Sequence, residues 1–479
     1  MTKKTKTSRR DFLKTTGILA AGATLVSGVT IERSAHAAGD DLIQLALVGC
    51  GGRGSQAIRD RLQVNDNAKV IAVADAFDYR ANNAAKGLRE DREWNGKVDL
   101  PAERVFAGLD SYKKAIDCLK PGDAVLIATM PGFRPMHYRY AVEKGVHVFM
   151  EKPLFTDAAG YNHLMESNKM ADEKGLKVTV GLQRHYEPQY YNWIKQIADG
   201  AIGDVSFTRV YWNNAGIWCK ERNANQTELQ WQMENWYHFV YLCGDNICEQ
   251  HVHNIDVGNW LHGKGDKMSH PVAANGQGGR QNPAGPLELL QQAPPFENKT
   301  EWFKWYNANK KRFDRFGQAW DHFFIEYTFG DGSRMFSQCR HVGDCWNPVE
   351  ENVHGTKGHG RVGVLYDSEN NEIWKNTEKV PKGPFKWEHD MHVKSIRENT
   401  PHNDGWHGAM ATMTAVLGRM AAFSGQVVTW DDAVAPGKAK SEMPLEGFAS
   451  WDDPTPVKPD ANGFYEGSVA KPGVYKWEA

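Results

Sequence analysis

The sequence predicts an α/β protein of two domains, the first built on a doubly wound parallel sheet and the second an α+β domain with a mainly antiparallel sheet. Three observations carry that expectation. From Leu42 to about Met150, short apolar runs alternate with helical segments, the rhythm of strand-helix-strand units. After Gly203 the apolar runs lengthen and a glycine hairpin signal appears. The 479 residues, 41% hydrophobic and 24% charged, suit two large domains that each bury a core, and exclude a disordered, collagenous or membrane-spanning chain.

In chain order, Ile43 to Val48, Lys69 to Ala74, Ala124 to Ala128 and Val146 to Met150 read as strands, with helices at Gly54 to Leu62, Ser111 to Leu119 and Pro135 to Lys144. A helix from Ala158 to Lys174, a strand from Lys177 to Gly181 and a helix from Pro188 to Asp199 follow. The later strands are Val205 to Trp212, His322 to Phe329, Ser333 to Arg340 and Arg361 to Tyr366, with Gly330-Asp331-Gly332 as the turn between the middle pair. One helix, Cys248 to Trp260, interrupts them, and Gly263 to Pro295 reads as a long Gly/Pro-rich excursion. A last helix, Trp406 to Phe423, stops at Gly425. The expected divisions are a leader at 1–37, domains at 38–160 and 161–446, and a tail at 447–479.

The first 37 residues hold seven Lys/Arg against Asp11 and Glu32. Ser8-Arg9-Arg10-Asp11-Phe12-Leu13-Lys14, a short apolar run to Ile31 and Ala35-His36-Ala37 read together as a twin-arginine export signal, which implies the export machinery as a partner and a periplasmic or exported location. The run is too short and Gly-rich to span a bilayer. Overall charge is −2, leaving −7 on the remainder, a balance that argues against a nucleic-acid partner. Seven cysteines without a CxxC pair spell neither a zinc site nor a disulfide framework, so no metal is expected. Free thiols are the plainer reading, with Cys243–Cys248 or Cys339–Cys345 left open as a bridge.

The first strand runs into Gly49-Cys50-Gly51-Gly52-Arg53-Gly54 and then a helix, which places GxGxxG on a strand-to-helix turn. Gly49 permits the tight turn, Gly51 lets the backbone approach a pyrophosphate, and Gly54 lets helix and strand pack closely. The next strand ends in Asp75, 21 residues past Gly54, where a carboxylate can accept hydrogen bonds from an adenosine ribose and would repel a 2′-phosphate. This is a Rossmann dinucleotide site that favours NAD over NADP.

The strand Val146 to Met150 delivers Glu151, Lys152 and Pro153 at its C-terminal end, the edge where open α/β sheets bind ligands. In the later cluster, helical spacing puts Glu249, His253, Asp256 and Trp260 on one face, with His251 pointing away. Glu249 or Asp256 is then expected to orient the His253 imidazole as a base. A metal held by His251 and His253 would need both rings on one side.

These residues resemble the glucose-fructose oxidoreductase, inositol dehydrogenase and rhizopine-catabolism (Gfo/Idh/MocA) family, in a twin-arginine-exported branch. The likeness runs through Gly49 to Gly54, Asp75, Thr129 through Pro131 to His137, Glu151-Lys152-Pro153, Gly181 to Arg184, Gly200 to Gly203 and Glu249 to Asp256. The resemblance implies that Lys152 and His253 serve catalysis, with Glu249 where the family usually has aspartate. It implies further that Gly51, Gly52, Arg53, Thr129, Pro131, His137 and Glu151 adjoin the cofactor. An open-faced second sheet used for homo-oligomer contacts (dimer or tetramer) and carbohydrate substrates are also implied. Trp231, Trp236 and Tyr237 suit stacking on a sugar face or packing beneath a loop, and Arg184, His185, Asp256, Arg340 and His341 are weaker candidates for substrate hydroxyls.

The activity expected is oxidation of a secondary hydroxyl of a sugar, cyclitol or glycoside by tightly bound, internally recycled NAD. A redox-assisted glycosidase and an NAD-containing sugar-binding protein are the alternatives.

Overall fold

The computed structural model describes residues 42–478, apart from 216, 221, 224, 281–293, 310–316, 380–382 and 462–464. The twin-arginine segment therefore lies outside the described residues.

Six parallel strands form the first sheet: β1 (Ile43–Val48), β2 (Ala68–Asp75), β3 (Val105–Ala107), β4 (Ala124–Ile127), β5 (His147–Met150) and β6 (Val178–Val180), in the order β3-β2-β1-β4-β5-β6. Ile43, Leu45, Ala46 and Leu47 are fully buried, as expected for a strand covered on both faces. Strand order reverses between β1 and β4, and such a reversal opens a crevice beyond the carboxyl ends of the strands. The boundary expected at residue 160 falls inside the helix Ala158–Glu173, because β6 still belongs to this sheet. The chain also returns to it late: Ile396, on the helix Pro384–Arg397, is packed in one core with Ile43, Ala57 and Phe149.

The second sheet has nine strands: β7 (Val205–Asn214), β8 (Ala273–Gly279), β9 (His322–Thr328), β10 (Arg334–His341), β11 (Val349–Gly355), β12 (Gly358–Arg361), β13 (Val364–Asp367), β14 (Glu372–Lys375) and β15 (Val428–Thr429). Their order is β14-β13-β12-β11-β7-β10-β9-β8-β15. Every pairing is antiparallel except β10 with β7. Two expectations are corrected here. Arg361 to Tyr366 is not one strand but the turn of the β12–β13 hairpin, with Gly363 at φ +77°. The excursion after Gly263 contains β8, Ala-Ala-Asn-Gly-Gln-Gly-Gly, whose glycines a strand reading discounts. Two of them sit against β9: a Cβ on Gly278 would lie 2.4 Å from the His322 carbonyl oxygen, and one on Gly276 would lie 2.3 Å from Ile325 Cδ1.

Two helices cover the inner face of this sheet. On Val252–His262, a Cβ at Gly258 would meet Met335 Sδ at 2.2 Å. On Gly405–Ser424, one at Gly418 would meet the Tyr327 hydroxyl at 2.1 Å. Both helices are buried nearly all round, which fixes the end of Val252–His262 that carries His253. The tail is no appendage: Val457 and Tyr465 share a core cluster with Trp231 and Phe133. No disulfide joins any of the seven cysteines, including the two pairs left open above.

Candidate active site

A cavity of about 960 Å³ opens at the strand ends of the first sheet. Its walls bring together Gly49, Gly51, Gly52, Arg53 and Gly54 after β1, Asp75 after β2, Thr129 and His137 around β4, and Glu151 and Lys152 after β5. Arg184, Trp236, Tyr237, Glu249 and His253 complete the opposite wall. Pro131 is buried beside it without forming part of the lining.

The glycine turn is shaped for a close ligand. Gly49 holds φ +96°, and a Cβ there would lie 2.6 Å from the Ala128 carbonyl carbon; at Gly54 it would lie 1.9 Å from the Gly49 oxygen. Gly52 has open space where a side chain would be, and at Gly51 the nearest atom is Arg80 at 3.9 Å. No side chain caps the helix Gly52–Leu62, so its first-turn amides and the positive end of its dipole are left for an anion. Asp75 accepts from the Cys50 and Phe77 amides, at 2.8 and 2.9 Å, which fixes the carboxylate at the cavity edge. These features fit a dinucleotide. Arg53 lines the cavity, as expected, and is also held by carboxylates. Its guanidinium reaches Glu151 (2.5 Å), Glu388 (3.2 Å) and Asp60 (3.5 Å), so it ties the end of β5 to the helix Pro384–Arg397.

Lys152 follows β5 through a cis Lys152–Pro153 bond. Its ammonium donates to the Glu249 carbonyl oxygen at 2.5 Å and lies 3.5 Å from Glu249 Oε1. The single helix expected over Cys248 to Trp260 is broken. A turn at Asn246–Glu249 ends at Gln250, and the helix Val252–His262 starts afresh. Glu249 and His253 therefore reach the cavity from separate elements. Neither Glu249 nor Asp256 orients the imidazole, contrary to expectation. The Asp256 carboxylate pairs with His185 Nε2 at 2.7 Å, behind the cavity wall, while Glu249 accepts from the Tyr237 hydroxyl. His253 Nδ1 is buried without a hydrogen-bond partner. Burial, and then the charges of Lys152, Arg184 and Arg53, push the imidazole well below its ordinary pKa, so it is neutral at pH 7. His251 turns to Ser337 Oγ (2.7 Å), away from His253's cavity.

Of the weaker candidates, Arg184 lines the cavity but is already paired with Glu351, and Trp236 and Tyr237 line it as aromatic surface. Trp231, His185, Asp256, Arg340 and His341 do not line it. Trp231 is 1% exposed and packs against Tyr465, and Arg340 donates to the Trp346 carbonyl on the second sheet. Sequence reasoning missed Arg134, Arg80, Trp212, Trp218 and Gln250. Arg134 is buried in the lining and donates to the Pro153 and Thr129 carbonyl oxygens, clamping the ends of β4 and β5 together. Burial pulls its pKa down to about 10 against the opposing pull of Glu151 and Glu249.

Residues 43–182 match the model of the GFO_IDH_MocA family, described as an oxidoreductase family with an NAD-binding Rossmann fold. An inositol 2-dehydrogenase of Klebsiella pneumoniae (strain 342) is 28% identical over 224 residues, covering 46% of this chain and 54% of that protein. The chain thus spans about half the length of the curated relatives it matches. Among solved structures, scyllo-inositol dehydrogenase from Lactobacillus casei, with bound NAD(H) and scyllo-inositol, superposes with a TM-score of 0.54 at 18% identity over 81% of this chain and 99% of that one. Aldose-aldose oxidoreductase from Caulobacter crescentus, complexed with glycerol, gives 0.56 at 16% identity over 81% and 100%. Residues 43–182 are accordingly similar to the NAD-binding Rossmann domain of Gfo/Idh/MocA oxidoreductases, and the chain as a whole, with its mostly antiparallel second sheet, shares the fold of these solved structures.

Proposed function

We propose that the protein oxidises a secondary hydroxyl of a sugar, cyclitol or glycoside, with NAD as its bound cofactor. The observation that carries this reading is that Lys152 and His253, from different domains, line the same cavity as the glycine turn and Asp75. The amides at the start of the helix Gly52–Leu62 would hold the pyrophosphate, and Asp75 would accept from the ribose. NAD supplies the hydride acceptor.

The remaining chemistry belongs to the chain. Neutral His253 accepts the hydroxyl proton as the C–H bond breaks, and Lys152 donates a hydrogen bond to the developing alkoxide. Glu249 balances the charge of Lys152 and fixes its direction. Trp236, with Trp212 and Trp218, gives flat apolar surface for the C–H face of a ring, and inositols head the list of substrates to try because the curated relatives are inositol dehydrogenases. The same proposal includes export of the loaded, folded protein by the twin-arginine route, with the cofactor recycled in place by a second carbonyl substrate. It also includes self-association through the outer face of the second sheet, where Phe324 is 44% exposed.

The test is mass spectrometry of cofactor co-purified with the protein, then absorbance in the NADH band on addition of cyclitols, sugars and glycosides. Formation of NADH supports the reading. Release of an aglycone with no net NADH points to the glycosidase, and silence across the panel to a binding protein.

A further inference from the structure

We propose that Tyr237 is a positioning residue for this oxidation: its hydroxyl clamps the Glu249 carboxylate against Lys152. The inference rests on the reaction proposed above and assigns the aromatic segment before Glu249 a part in it.

Three side chains make the clamp. Tyr237, in the short turn Trp236–His238, donates its hydroxyl proton to Glu249 Oε2. Gln250 Nε2 donates in turn to the Tyr237 oxygen, which leaves that hydroxyl's proton directed at the carboxylate. The other carboxylate oxygen, Oε1, faces the Lys152 ammonium at 3.5 Å. Glu249 is 7% exposed and so is Tyr237, so both contacts are largely shielded from water. The Tyr237 hydroxyl is consequently committed to Glu249 and is not the group that protonates or deprotonates a substrate.

The clamp is needed because burial acts against the charge. Burial drives the Glu249 carboxyl upward, opposed by Lys152, the Tyr237 hydrogen bond and Arg134. Cys248, beside it in sequence, and Cys243, which donates from Sγ to the Tyr237 carbonyl at 3.4 Å, are the further titratable groups at this place. A protonated Glu249 would lose its attraction for Lys152 and turn one acceptor oxygen into a donor. The ammonium would then lose the partner that aims it.

Tyr237→Phe removes the donor and keeps the ring. A hydrogen bond to a charged group is worth enough to move the carboxyl midpoint by about one to two pH units. Infrared difference titration of the cofactor-free protein is the direct readout, using the protonated-carboxyl band that disappears in Glu249→Gln. The band is expected to appear one to two pH units higher in Tyr237→Phe than in the wild type, and at an intermediate pH in Gln250→Leu. In the NAD-loaded enzyme the acid limb of kcat/KM is expected to move up with it, and the activity of Tyr237→Phe to recover toward wild type at alkaline pH. Equal midpoints, or a loss of activity by one constant factor at every pH, would overturn the clamp. If Tyr237→Phe does not fold, Gln250→Leu carries the same comparison. A midpoint shift in a protein whose wild type turns over no polyol would instead overturn the oxidoreductase reading and leave the clamp standing.

Discussion

Glu351→Gln isolates the support behind the substrate wall. Glu351 is 1% exposed on β11, and its carboxylate takes hydrogen bonds from Arg184, from Asn254 Nδ2 (2.5 Å) and from the Tyr190 hydroxyl (3.4 Å). Burial pulls the Arg184 guanidinium down, but Glu351, Tyr190, Glu187 and Asp256 outweigh it, so the guanidinium stays charged, while burial drives the Glu351 carboxyl upward against the opposing pull of Arg184, Asn254 and Tyr190. Removing one member of such a pair leaves an uncompensated buried charge, which costs about 3–5 kcal/mol. At 2–4 °C per kcal/mol for a large domain, the melting temperature should fall on the order of 10 °C. The assay is thermal unfolding of Glu351→Gln beside the double variant Arg184→Met/Glu351→Leu, which removes both charges and should recover most of the loss. A Glu351→Gln protein melting within about 2 °C of wild type, or a double variant no better than the single one, would refute the pair as the source of stability. Asn254 adjoins His253, so the single variant should also turn over more slowly.

Three further outcomes follow from the same structure. Gly52→Ala should melt like wild type, because a Cβ there meets nothing within 4 Å, while Gly54→Ala should lose several °C or fail to fold; equal behaviour in paired thermal melts would contradict the contact with the Gly49 carbonyl. Burial holds His251 and His407 at pKa values of about 3, and His262 at about 4. Between those values and 6.5 the unfolded chain binds protons that the folded imidazoles refuse, so their contribution to stability is lost as pH falls through 6.5. Buried carboxyls such as Glu249, Glu351 and Glu442 stand above their ordinary values and act in the opposite sense. Thermal melts from pH 7 to 5 should therefore show a shallower acid loss in His251→Gln than in wild type, and parallel curves would contradict this. Trp236→Ala should raise KM roughly 2- to 10-fold with NAD content unchanged, the scale of one aromatic contact; an unchanged KM would remove the stacking role.

Much of the first domain could be read from its residues because its signals are local. The alternation of buried apolar strands with helices, and the strand-turn-helix setting of Gly49 to Gly54, are contained in stretches of about 20 residues. Lys152 was legible for the same reason, since it follows a strand that ends where ligands bind. The second domain was less so. β8 is composed of residues that avoid strands, and the tight approach of β9 to Gly276 and Gly278 is something a sequence does not display. Helical spacing put Glu249 with His253 correctly in one cavity but by a wrong route, because the break at Gln250 leaves no mark of its own: there is no proline or glycine there. Trp231 illustrates the ambiguity of an aromatic run. Tyr465, 234 residues away, decides that it packs in a core while Trp236 faces the cavity. Arg134 was missed because its partners are two backbone carbonyl oxygens, which no side-chain pattern announces.

The most direct measurement is rapid-mixing absorbance in the NADH band on protein loaded with NAD, comparing wild type with Lys152→Ala and His253→Ala after mass spectrometry has confirmed equal cofactor content. The expected result is polyol-dependent NADH formation in wild type, slowed by about 10²- to 10⁴-fold in each variant while NAD stays bound. Wild-type rates in either variant would contradict the convergence of these two side chains on one reacting centre.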